Sequence, residues 1–130
     1  MSVTAKNKHI DDLHFEHQLW KSQANFYSDE LSIYQKRLQE VASKNTKEEV
    51  RKQIEHFQNQ FIIQKQELAR ISHDVEAHEH ELAAFAKAHP VAIDHKVFGD
   101  HAQMHDRVDT FNKLYSELKK EFTQFLTVWM

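Results

Sequence analysis

The longest unbroken pattern in the chain runs from Thr46 to His89. Apolar residues recur there in alternating steps of three and four: Val50, Ile54, Phe57, Phe61, then Leu68, Ile71, Val75, Leu82 and Phe85, with Gln64 and His78 as the polar rungs. A 3.5-residue repeat held this long predicts one helix over 46–89 with a narrow, supercoiling seam. Such a helix is about 60 Å long and cannot leave its seam in water, so the rest of the chain must cover it.

Two further ladders supply the cover. Ile10, Leu13, His17, Trp20, Ala24, Tyr27, Leu31, Tyr34, Leu38 and Val41 predict a helix over 7–43. Asn7 is a suitable N-cap, and Asp11 and Asp12 fall where the helix dipole favours negative charge. His101, Met104, Val108, Phe111, Tyr115, Leu118, Phe122, Phe125 and Trp129 predict a third helix over 100–129.

The breaks between ladders set the topology. Ser43-Lys44-Asn45 is short, and Thr46 with Glu49 forms a capping box, so the first two helices form an antiparallel hairpin. Facing pairs are then Val41 and Val50, Tyr34 and Phe57, Tyr27 and Gln64, and Trp20 and Ile71, give or take one turn. The Tyr27 phenol would give the buried Gln64 amide a partner. His89-Pro90 ends the second helix. Val91 to Gly99 reads as a loop whose Val91, Ile93, Val97 and Phe98 fold over the bundle end, and Asp100 with Gln103 is a second capping box. The fold class is all-α: an elongated antiparallel three-helix bundle, up-down-up, with residues 1–130 as one domain.

Composition agrees. One Gly and one Pro in 130 residues leave little turn chemistry for a sheet protein. The absence of cysteine removes disulfides, thiolate metal sites and cysteine nucleophiles. No apolar run approaches the ~20 residues of a membrane span, and MSVTAKNKH lacks a signal-peptide core, so no membrane role and a cytoplasmic location are expected. A net charge of −3 with both signs dispersed offers no footprint for nucleic acid.

Some bulky apolar residues lie off the seams. Phe15, Leu19, Phe26 and Ile33 form a second stripe on the first helix, and Ile62 and Ile63 point outward on the second. They either fill the flanks of the bundle or bury against a second copy, and the expectation is a homodimer or higher homo-oligomer.

Eleven histidines are the compositional oddity. His9, His14 and His17, then His73, His78, His80 and His89, then His95, His101 and His105, come from three regions that meet at one end of the bundle. Only His56 lies elsewhere. His17, His78 and His101 stand on seam rungs, one per helix. Hairpin register sets His14 level with His78 and His17 one turn away. His101 is expected a layer or two beyond, unless the loop lets the third helix slide. Carboxylates share the zone, among them Glu16, Glu79 and Glu81. Imidazoles at helical spacing with nearby carboxylates are the parts of bundle metal sites. The candidate ligands are His14, His17, His78 and His105, with Glu16 or Glu81, for a divalent transition metal (Zn, Fe, Mn or Ni).

His101-x-x-x-His105 followed by Asp106 resembles a ligand segment of hemerythrin-like di-iron bundles. The resemblance implies iron ligation from that segment alone. The companion His-x-x-x-Glu is absent, since His73 is followed four residues later by Ala77, and so is a fourth helix. The Glu-x-x-His of ferritin-like sites is absent as well.

Two functions compete. One is a structural or interaction bundle in which buried histidines set register through hydrogen bonds or respond to pH. The alternative is a metal-binding bundle. No nucleophile–base set or phosphate loop marks an enzyme.

Overall fold

A computed structural model describes the backbone of residues 10–88 and 95–130, and the side chains of 10–88 and 99–130. It consists of three helices: α1 (Ile10–Lys44), α2 (Glu48–Ala88) and α3 (His95–Trp129). The described residues contain no strand, and none of their helices is long and apolar enough to cross a membrane. Asn7, His9, His89, Val91 and Ile93 lie outside the described residues, as do the side chains of His95, Val97 and Phe98.

Cross-helix contacts give the topology. His14 meets Glu79 and Lys65 meets Ser32, so α1 and α2 run antiparallel. Phe57 packs on Phe125 while His78 packs on His101, so α2 and α3 are antiparallel too. Asn45 reaches the Trp129 carbonyl, which closes the far end of the bundle. The buried positions are the ladder positions, including Leu13, Leu31, Val50, Phe61 and Phe122, each almost fully excluded from solvent.

Three expectations change. The third helix begins at His95 rather than Asp100 and runs straight through Gly99 and Asp100, so Asp100 is no cap. An interior glycine costs a helix roughly 1 kcal/mol relative to alanine. The hairpin register falls one turn along, at the edge of the range expected: Tyr34 packs on Phe61, at 6.0 Å between ring centroids. The first bond of α2 is Arg51 N–H to the Lys47 carbonyl, so Lys47 rather than Thr46 stands at its start. Tyr27 packs on Tyr115, and the Gln64 Oε1 has no hydrogen-bond partner.

The off-seam residues do not fill flanks. Phe15, Leu19, Phe26, Ile33, Ile62 and Ile63 are all exposed.

Candidate metal centre

Near one end of the bundle the seam changes character. Below it lies the main apolar core, up to Trp20, Val75 and Met104. Beyond it lies a small separate apolar cluster of Leu13 and Leu82 with Ile10 and Phe85. Between the two sit His17, His78 and His101, exposed by only 1%, 6% and 2%. Each helix contributes one, because each ladder carries histidine on the rung that falls at this level. Apolar residues flank the layer above and below.

The three rings converge. Ring centroids are 4.9 Å apart for His17–His78, 5.0 Å for His17–His101 and 5.8 Å for His78–His101. One nitrogen from each can be chosen so that all lie within 4.8 Å of one another. Trp20 stacks on His101 at 4.9 Å and fixes that ring's plane.

The hydrogen bonds assign the tautomers. His17 Nδ1 stands 2.7 Å from Glu79 Oε1, and an ionised carboxylate only accepts, so Nδ1 carries the proton and Nε2 the lone pair. His101 Nε2 stands 2.9 Å from Glu16 Oε1, which leaves the lone pair on Nδ1. Those two lone-pair nitrogens face each other at 3.2 Å. Two acceptors at that distance repel unless a proton or a cation lies between them. His78, buried beside them, has no hydrogen-bond partner on either ring nitrogen. A buried imidazole in that state costs about 1–3 kcal/mol per unsatisfied group.

Charge points the same way. Burial pushes the His17 imidazole below its ordinary 6.5, against the opposing pull of its Glu79 hydrogen bond, and His78 lowers it further. With His17 neutral, the gap is bridged either by a proton on His101 Nδ1 or by a cation.

The other sequence candidates stand around this trio. His14 is exposed and shares Glu79 with His17, its Nδ1 at 2.6 Å from Oε2. His105 lies on the outer side of Trp20, 4.0 Å from Glu16 Oε2 and 3.4 Å from Asp109. Glu16 touches His101 rather than the space between the rings. Glu81 is exposed at the rim of a surface cavity of about 320 Å³ that His78, Met104 and Arg107 also line. The trio thus joins His17 and His78 to His101, which spacing had placed a layer or two away. The signal was present in the rung pattern, one histidine per helix; the axial position of α3 was not.

Fold and site together define an all-helical bundle with one buried histidine per helix at a common level, two of them bonded outward to glutamates. Comparison with known protein families, with curated proteins and with solved structures gives no match.

Proposed function

We propose that the protein binds a divalent transition metal through His17, His78 and His101, with Glu79 and Glu16 as orienting partners of the first and last. The observation that carries this reading is the convergence of one nitrogen from each of three buried imidazoles within 4.8 Å, with a His78 that has no hydrogen-bond partner among protein groups. Two nitrogens bound tetrahedrally to zinc at ~2.0–2.1 Å stand about 3.3 Å apart, so the His17–His101 spacing is that of a chelating pair. A carboxylate on the far nitrogen of a ligating histidine fixes its tautomer and raises its basicity, and Glu79 and Glu16 are placed for that.

An all-imidazole set favours Zn, Fe or Ni over Mn, which prefers oxygen, and lacks the soft sulfur that selects Cu(I). Three protein ligands leave a coordination position for water or a small ligand, and the cavity beside His78 provides an approach. In a purely structural role His78, which has no protein partner, would have only water from the adjoining cavity to bond.

The test is thermal melting of the untagged chain, stripped with chelator and then titrated with Zn²⁺. Zinc at a hundredfold excess over Kd should stabilise the wild type by about 2.7 kcal/mol. His78→Leu should fold and show no zinc shift. Identical melting of the wild type with and without Zn²⁺ and Ni²⁺ would overturn the reading.

A further inference from the structure

The outer face of α1 carries a second pattern that the metal site does not use. Phe15, Leu19, Phe26 and Ile33 lie opposite the seam in one stripe, and Phe15, Phe26 and Ile33 are 62%, 58% and 57% exposed. Ser22, small and exposed, sits between Leu19 and Phe26. The stripe is bracketed by charge of opposite sign at its two ends: Asp11 and Asp12 before Phe15, Lys36 and Arg37 after Ile33, all exposed.

We infer that this face pairs with the same face of a second copy, the two α1 helices running antiparallel about a two-fold axis near residue 24. In that register Phe15 lies level with Ile33 of the second copy, and Ser22 lies level with Phe26, which needs a small neighbour. Asp12 then meets Arg37 on one flank and Asp11 meets Lys36 on the other. Helical periodicity puts Asp12 and Arg37 on one side of the stripe and Asp11 and Lys36 on the other. A two-fold axis between antiparallel helices brings like flanks together, so both attractive pairs form twice. A parallel pairing sets Asp11 and Asp12 against their own copies and the basic pair likewise. Charge therefore selects the antiparallel arrangement.

The inference is independent of the metal site. Its test is sedimentation equilibrium of the full chain together with cross-linking, which the absence of native cysteine makes simple. The wild type should be a dimer at tens of micromolar. Phe26→Asp, at an exposed position, should keep its helical circular dichroism and raise the dimer dissociation constant at least ~10-fold. A mixture of Asp12→Cys and Arg37→Cys chains should cross-link to each other through a short bismaleimide. Asp12→Cys alone should not, because its two copies would stand about 36 Å apart along the helices. A wild type that stays monomeric at 100 µM overturns the inference. So does a dimer indifferent to Phe26→Asp, which places the interface elsewhere, or efficient self-cross-linking of Asp12→Cys, which makes the helices parallel.

Discussion

Around Phe61 and Phe122 the three helices meet through phenyl rings; around His78 they meet through imidazoles. The same seam serves both regions, and ring separations are alike: 4.9 Å for Phe61–Phe122 and 4.9 Å for His17–His78. What differs is how the polar atoms of the rings are satisfied; apart from the rings, the Gln64 Oε1 of the aromatic half has no partner either. In the aromatic half the phenol that needs a partner has one, since Tyr115 donates to Glu30 Oε1 at 2.6 Å and Lys119 donates to the other oxygen of the same carboxylate. In the histidine layer the outward nitrogens of His17 and His101 have carboxylates and the inward ones stand 3.2 Å apart, while neither nitrogen of His78 has a hydrogen-bond partner. Packing by itself would be served as well by Phe or Leu on those rungs. Aromatic rings complete the first region, whereas the second is the layer where we propose that a metal sits.

The largest effect expected from this contrast is in the aromatic half. Phe61→Ala or Phe122→Ala should lower unfolding free energy by about 3–5 kcal/mol, because each ring is fully buried and leaves a cavity. Urea titration reads this directly, and a loss under 1 kcal/mol would mean the half is loosely packed. His78→Leu in metal-free protein should do the reverse. Removing two unsatisfied buried nitrogens is expected to stabilise by about 1–3 kcal/mol, measured on the same urea scale. Should it destabilise like the phenylalanine substitutions, the two layers would be chemically equivalent.

A smaller gain is expected at Gly99, which lies on α3 two positions before His101. Its φ is not positive, and a Cβ there would meet no atom within 4 Å. Gly99→Ala should therefore stabilise by about 0.5–1 kcal/mol through the unfolded chain, visible as a modest rise in Tm. Zinc affinity measured on the same variant should be unchanged, since no ligand moves.

At neutral pH the two regions titrate least, and their difference shows at the extremes. His17 has its folded value pushed below the ordinary one by burial, so the unfolded chain takes up protons first. The stability it contributes in metal-free protein is complete above about pH 6.5 and is lost as pH falls from there through the folded value. Tyr115 is shifted the other way: burial, then its bond to Glu30, raise the phenol well above its ordinary range. Its contribution is complete below about pH 10 and is lost as pH rises beyond that. Stability measured against pH should accordingly lose part of its acid limb in His17→Leu and part of its alkaline limb in Tyr115→Phe. An exchange of those assignments would contradict the separation of the two regions.

The ladders were legible because burial imposes the 3.5 repeat on sequence directly: Leu13, Val50, Phe61 and Phe122 could be placed in the core by counting. The positions of elements along one another were not. Tyr34 meets Phe61 rather than Phe57 across the hairpin, a choice of one turn that a repeating ladder leaves open. The level of α3 depends on its start at His95, and the Asp100–Gln103 pair imitates a start five residues later. Periodicity therefore marks His101 as a rung without setting its level, whereas spacing points to His105, one turn on, as the ligand, and the structure brings His101 to His17 and His78. Glu79 rather than Glu81 faces His17 because a step of two residues on a helix turns the side chain to the other flank, and which flank meets α1 follows from packing.

The most direct measurement is metal stoichiometry by equilibrium dialysis of the untagged chain against Zn²⁺ at pH 7.5, compared with His17→Phe, His101→Phe and His14→Ala. One tightly held zinc per chain in the wild type and in His14→Ala, with none retained by folded His17→Phe or His101→Phe, is the expected result. Zinc retained equally by all four chains, or by none, would contradict a centre built from the buried trio.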